Sequence, residues 1–209
     1  ETLEWINTIP SDSVLWDIGA NIGLYSIYAG KVRKCKVYAF EPSVFNLELL
    51  ARNIHLNKLV NQITIMPFPL TSSLQESRLN FSNTEWGEAL STFGEDYGHD
   101  GRPLKKVFEF STIGLTMDNV IKFFNLSNPD YIKIDVDGIE QLILMGGTKI
   151  LSKVKSVLIE VNDDFEEQRE SVKKLLESTG LKLKEKKHSQ EFEESILFKN
   201  LYNQIWRRD

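Results

Sequence analysis

Only one cysteine, Cys35, occurs in the 209 residues, so no disulfide can close within the chain. That suits a reducing compartment, and a cytoplasmic location is the expectation. Without a second thiol, Cys35 has no cysteine partner for a metal site and reads as a small apolar residue ahead of a strand. No apolar run approaches the ~20 residues that a membrane-spanning helix needs, and no secretory signal is visible. The chain starts at Glu1 rather than Met, and a preceding segment that contributes to the substrate site is an open expectation. Positive charge is in deficit. Against 30 Asp and Glu stand 25 Lys and Arg, a net −5, which argues against a track for nucleic-acid phosphates. The basic clusters Lys184 to Lys187 and Arg207-Arg208 are short and read as solvated faces.

The glycine triplet of a dinucleotide-binding turn, G-x-G-x-x-G, is also missing. What stands in its place is Val14-Leu15-Trp16-Asp17-Ile18-Gly19-Ala20-Asn21-Ile22-Gly23. An apolar run meets an acid, two glycines and an asparagine follow, and apolar residues then recur at helical spacing. The pattern predicts a buried strand, a tight turn and a helix start, which brings backbone N–H groups close to a ligand. A side chain at Gly19 or Gly23 would block that approach or force a costly φ/ψ. Asp17 is expected to point into the crevice as an acceptor.

By itself Asp-x-Gly-x-x-x-Gly is a weak signal. It gains weight from Val37-Tyr38-Ala39-Phe40-Glu41-Pro42, a second apolar strand ending in an acid 22 residues beyond Gly19. That is close to the ~20-residue spacing of an acid that holds ribose hydroxyls. A carboxylate accepts two hydrogen bonds in a fork, which suits the task. Two acids beside the turn would repel a diphosphate. They would attract S-adenosylmethionine, which carries an ammonium and a sulfonium and no phosphate. Asp17 and Glu41 therefore favour that ligand over NAD.

Three stretches, Asp17-Ile18-Gly19-Ala20-Asn21-Ile22-Gly23, Phe40-Glu41-Pro42-Ser43 and Ile132-Lys133-Ile134-Asp135-Val136-Asp137-Gly138-Ile139-Glu140, closely resemble the FkbM family of S-adenosylmethionine-dependent methyltransferases. The resemblance runs from about Val14 to about Asp163. It implies a Rossmann-like class I methyltransferase fold, a seven-stranded sheet with its last strand reversed, and S-adenosylmethionine as cofactor. It says little about the acceptor.

Strand and helix alternate along most of the chain, which predicts one α/β domain with a largely parallel sheet. The expected order is a short amphipathic turn or helix from Thr2 to Ile9, strand one, a helix from Ile22 to Val32, strand two to Glu41, and a helix capped by Ser43 to Leu56. Strand three is Ile63 to Met66. Residues 67–115 have a different texture and predict an inserted pair of strands, Arg78 to Phe81 and Val107 to Ser111, joined by a loop from Gly94 to Pro103. A lid over the acceptor is one reading of that insertion, and plain surface loop is the other. Thr116 caps the next helix, Tyr131 to Asp137 is strand four, and a helix from Ile139 to Leu151 bends or ends at Gly146-Gly147. Ser156 to Val161 is strand five, and Asp163 opens a helix to Ser178. Leu181 to Lys187 and Ser195 to Lys199 close the chain as an antiparallel hairpin.

Methyl transfer from a sulfonium is an in-line displacement. Aligning donor and acceptor can supply ~7–11 kcal/mol, and a positioned base ~10²–10⁴-fold. Asp135 is the candidate base, and it is also placed at the cofactor. Lys133, Asp135 and Asp137 share one face of strand four, a polar face that is costly unless paired. A structural ion-pair network is the alternative for Asp135 and the favoured reading for Lys133. If strands four and five lie level, Lys133 pairs with Glu160, and Asp135 stands beside Asn162 at the mouth. Asp135, Asn162 and Asp163 would be an oxygen set for a divalent cation, but no metal is expected. His99 and His188 rank below Asp135 as bases. The cofactor residues are then Asp17, Gly19, Asn21, Gly23, Phe40, Glu41, Pro42 and Asp135, with Thr71 and Ser72 at the adenine edge. Asn83, Trp86, Ser91 and Thr92 are candidates for an acceptor pocket.

The reading from sequence is an O-methyltransferase acting on a hydroxyl of a sugar, glycan or secondary metabolite, with no nucleic-acid partner. An NAD-dependent oxidoreductase and a catalytically silent cofactor-binding module are the alternatives.

Overall fold

The structure, a computed structural model, describes residues 1–188 and 199–208. Helix α1 (Thr2–Thr8) precedes β1 (Val14–Ile18), α2 (Leu24–Val32), β2 (Lys36–Phe40), α3 (Val44–Leu56) and β3 (Ile63–Met66). The insertion follows as β4 (Gln75–Phe81), β5 (Ser91–Phe93) and β6 (Phe108–Gly114). Then come α4 (Met117–Phe124), β7 (Tyr131–Ile134), α5 (Glu140–Met145), α6 (Thr148–Leu151), β8 (Ser156–Asn162), α7 (Glu166–Ser178), β9 (Lys182–Lys187) and β10 (Leu201–Arg207).

Seven strands form one sheet in the order β3-β2-β1-β7-β8-β10-β9. All neighbours are parallel except β10, which runs antiparallel to both β8 and β9. The strands are apolar on both faces because helices cover both. On one face Trp16, Ile18, Phe40, Ile132, Ile134 and Ile159 pack with Ile143 of α5 and Val172 of α7. On the other, Leu15, Val37, Ala39 and Leu158 pack with Trp5 of α1, Ala29 of α2 and Leu50 of α3. Among the described residues no helix is long and apolar enough to cross a membrane.

Several expected boundaries move, each for a local reason. Helix α2 starts at Leu24, not Ile22, because Gly23 is left-handed at φ +88°. Strand four stops at Ile134, not Asp137, because Asp137 and Gly138 turn the chain with φ of +62° and +111°. The helix expected over 139–151 is two, α5 and α6, broken at Gly146-Gly147. Helix α7 begins at Glu166 rather than Asp163, since the Asn162 side chain first accepts the Asp164 N–H in a turn. Ser43 stands before α3 as expected, but its side chain makes no capping bond, whereas the Thr116 hydroxyl accepts the Asn119 N–H.

The insertion holds three antiparallel strands, β5-β4-β6, rather than a pair. Phe45 of α3 packs edge-on against Phe81 and Phe108 of that small sheet and docks it onto the main body. The last strand is Leu201–Arg207, later than the expected Ser195 to Lys199, of which residues 195–198 lie outside the described residues. Arg208 is half-buried rather than fully solvated. Its guanidinium donates to the Val154 and Leu151 carbonyls.

Candidate active site

The carboxyl ends of β1, β2 and β7 meet the insertion around a cleft. In an open parallel sheet this is where ligands bind. The Gly19 and Ala20 N–H groups both donate to the Phe40 carbonyl and pin the turn to β2. Gly19 has φ +77°, and a Cβ there would lie 1.9 Å from the Asp135 carbonyl oxygen. Backbone therefore lies on backbone between the β1 and β7 ends, and only glycine fits. Gly23 sits behind the cleft, where a Cβ would meet Leu50 at 2.5 Å. Its role is helix packing.

Asn21 lines the cleft in a left-handed conformation, φ +48°. Its N–H donates to Glu41 Oε2 at 2.7 Å, and Glu41 Oε1 accepts the Ser43 N–H at 2.8 Å. Burial pushes the Glu41 carboxyl up to about 7, against those two backbone donors. Phe40 and Pro42 also line the cleft, with Phe40 packed on Trp16 at 4.9 Å. The inner end is apolar, walled by Phe68, Pro69, Leu70, Leu79, Phe93, Ile139 and Ile143.

Asp17 does not reach the cleft. The two-residue alternation puts it with Leu15 on the α2 face. There it is fully buried, accepts the Ser26 hydroxyl at 2.6 Å and faces Lys133 Nζ at 3.4 Å. Lys133, 2% exposed, also reaches Asp135 at 3.1 Å and the Gly19 carbonyl at 3.4 Å. Burial alone would pull its ammonium down, but Asp135 and Asp17 outweigh that and hold it above the usual lysine range. The expected Lys133–Glu160 pair is absent. Lys133 is level with Leu158, so β8 is displaced two residues from the assumed register and Glu160 hydrogen-bonds Asp135 instead. Burial, then the nearby acids Asp135, Glu140 and Asp137, hold the Glu160 carboxyl well above the usual range.

Asp135 lines the cleft just beyond β7, with its side chain one-third exposed. Asp137 lines it too, and its Oδ2 accepts the Leu90 N–H at 2.8 Å and the Ser91 N–H at 3.4 Å. Burial, then repulsion from Asp135, pushes Asp137 up to about 6. Beneath it Glu140 accepts the Val136 and Gly138 N–H groups and Gln168 Nε2, and burial raises it to about 7. Four acids line the cleft, Glu41, Glu88, Asp135 and Asp137, and no Lys, Arg or His is among the described residues that line it, Lys133 lying behind Asp135.

Thr71 and Ser72 are not at the cleft. Thr71 is buried, its N–H bonded to the Leu115 carbonyl, and its own carbonyl lies against Gly146. Ser72 is exposed. Phe68, Pro69 and Leu70 form the wall instead, because the chain after β3 turns away beneath the α5–α6 break. Ser91 lines the cleft, Thr92 is buried in the small sheet, Trp86 is 61% exposed, and Asn83 accepts the Glu85 N–H in a local turn. The 94–103 loop is docked. Asn162 Nδ2 donates to the His99 carbonyl, and Tyr97 packs on Phe165. The His99 ring is not among the cleft-lining groups, nor is His188, which sits beside Tyr202. Asp163 pairs with Lys186 at 2.5 Å and Asn162 faces the loop, so neither converges with Asp135.

The sequence reading missed Asn46, Glu88 and Asp137 as cleft residues. Asn46, on the first turn of α3, carried a readable signal, since a buried polar side chain one helical turn beyond Pro42 faces the same crevice.

The fold is that of the Rossmann-like methyltransferases. Residues 17–190 match the Methyltransferase FkbM domain, and the chain belongs to that family. Membership implies S-adenosylmethionine as cofactor, and an acid-lined cleft without a cationic side chain fits a cationic ligand. The chain is 27% identical over 165 residues to Methyltransferase sdnD of Sordaria araneosa, covering 68% of this chain and 62% of the relative. It is 26% identical over 156 residues to Hexuronic acid methyltransferase AglP of Haloferax volcanii, covering 72% and 56%. The chain thus spans about three-fifths of the length of these curated relatives. The crystal structure of Methyltransferase FkbM from Methylobacillus flagellatus KT superposes with a TM-score of 0.63 at 16% identity, covering 95% of this chain and 44% of the other.

Proposed function

We propose that the protein is an S-adenosylmethionine-dependent O-methyltransferase that acts on a hydroxyl of a sugar or glycan. The observation that carries this reading is the charge of the cleft. Four acids and no base line it, which favours a ligand bearing a sulfonium and an ammonium and disfavours the diphosphate of NAD. The choice of sugar over other secondary metabolites follows the Haloferax relative, whose name specifies a hexuronic acid.

In this reading Gly19, Asn21, Phe40, Glu41, Pro42 and Asp135 contact the cofactor, which supplies an already activated methyl group. Glu41, its two oxygens oriented by backbone donors, takes the ribose hydroxyls. Asp17 acts at a distance, by fixing Lys133 under the turn. Asp135 accepts the acceptor's hydroxyl proton and is held in place by Lys133 on one side and Glu160 on the other. No metal is assigned.

Calorimetry with S-adenosylhomocysteine and with NAD, side by side, tests the cofactor. The first should bind and the second should not, and Glu41→Ala should weaken the first by about tenfold or more. Labelled methyl transfer to a panel of hydroxylated sugars, repeated in excess chelator, tests the reaction. Donor binding with no turnover on any hydroxyl would favour the silent binding module.

A further inference from the structure

Residues 87–91 cross the cleft as a roof, with Glu88, Ala89 and Ser91 facing into it. Their backbone is fastened by side chains from three separate places on the main body. Asn21, in the β1–α2 turn, donates Nδ2 to the Gly87 and Glu88 carbonyls at 3.1 and 3.3 Å. Asn46, on α3, donates Nδ2 to the Glu88 carbonyl at 3.0 Å and accepts the Gly87 N–H on Oδ1 at 3.0 Å. Asp137, in the β7–α5 turn, accepts the Leu90 and Ser91 N–H groups. The segment is bent by two left-handed residues, Gly87 at φ +85° and Leu90 at φ +64°. A leucine does not adopt that conformation without compensation, and the tethers supply it.

Asn46 differs from the other two tethers. It is 4% exposed, and its side chain also hydrogen-bonds Glu41. One planar amide thus joins the roof to the acid read above as the ribose acceptor. Only a group with both donor and acceptor can do this. A carboxylate would keep the Gly87 bond and lose the two donor bonds, while adding a second negative charge beside Glu41.

We propose that Asn46 is a positioning residue that fastens residues 87–88 over the cleft and orients Glu41, so that 86–91 is a retaining strap for the bound cofactor. The proposal rests on the cleft being the cofactor site. Release of the ligand requires the strap to lift, so loosening the tether speeds dissociation more than it slows association.

Trp86, next to Gly87 and 61% exposed, reports the strap by fluorescence, since Trp5, Trp16 and Trp206 are buried. In a stopped-flow chase of bound S-adenosylhomocysteine, Asn46→Ala should raise the dissociation rate about tenfold or more, with association changed by less than about threefold. Asn46→Asp should also release fast. If either variant releases at the wild-type rate, the strap is refuted while the cofactor reading stands. If the wild type fails to bind S-adenosylhomocysteine at all, the cofactor reading falls first and takes the strap with it. Should Asn46→Ala not fold, hydrogen exchange on the wild type decides. The amides of 86–91 should slow about tenfold on ligand addition, and unchanged exchange overturns the proposal.

Discussion

A lysine ammonium with almost no exposure to water survives only if carboxylates surround it, and Lys133 has Asp17 and Asp135. Removing the cation leaves Asp17 charged and fully buried, a change that costs ~3–5 kcal/mol. Lys133→Met should therefore lower the melting temperature sharply. Glu160→Gln should leave it nearly unchanged, because Glu160 hydrogen-bonds Asp135 rather than Lys133 and burial already favours its neutral form, which the amide mimics. Thermal melts of the two variants side by side check this, and a strong drop for Glu160→Gln would reinstate the rejected pair. Gly19→Ala belongs to the same scale. The left-handed backbone alone costs ~1–3 kcal/mol, and the added Cβ strikes the Asp135 carbonyl. The variant should melt lower and lose S-adenosylhomocysteine binding in calorimetry. Gly19 was legible because the need for glycine is written in the turn itself. The destination of the Asp17 side chain was not, because it depends on which face α2 covers.

Among the elements, the α5–α6 break is what diverts the chain after β3. A Cβ on Gly146 would lie 2.2 Å from the Thr71 carbonyl, and one on Gly147 would lie 2.0 Å from Met117 Cε. Gly146→Ala should raise helical propensity by ~1 kcal/mol, yet destabilise the protein in a thermal or denaturant melt, because a backbone carbonyl cannot yield. Gly146-Gly147 could be read from sequence as a bend, but its purpose, room for residue 71, could not. For the same reason Thr71 and Ser72 could not be ruled out of the cleft. Strands β1, β3 and β7 were legible because continuous apolar runs bounded by turn residues mark buried strands. Strand β5 has three residues and exists through its pairing with Leu79 to Phe81, a partner no local pattern announces.

Across the whole molecule the buried acids in and beneath the cleft set the response to pH. Burial raises Glu41 and Glu140 to about 7 and Asp137 to about 6 in the folded chain, so these groups hold protons more tightly folded than unfolded. Their contribution to stability is complete below the unfolded carboxylate range, ~4, and is lost as pH rises through about 6 to 7. The ligand-free protein should melt higher near pH 5 than near pH 7.5, as a scan of melting temperature against pH would register. A cationic ligand favours the ionised acids and reverses the sign. S-adenosylmethionine should release protons on binding between about pH 6 and 7 and tighten as pH rises, more steeply than S-adenosylhomocysteine, which lacks the sulfonium. Calorimetry in two buffers of different ionisation heat measures that release.

The sequence by itself determined the strand–turn–helix at Asp17 to Gly23, the acid at the end of β2, the alternation that makes a parallel sheet, and the family. All of these are carried by neighbours in the chain, through φ/ψ demands and side-chain periodicity. The tertiary structure alone decided that β8 is displaced by two residues against β7, that Lys133 serves Asp17 and Asp135, and that 87–91 roofs the cleft through Asn46, 41 residues away from Gly87. Register and roof are set by how distant surfaces pack, and that free energy is shared among many side chains with no signature in any single stretch.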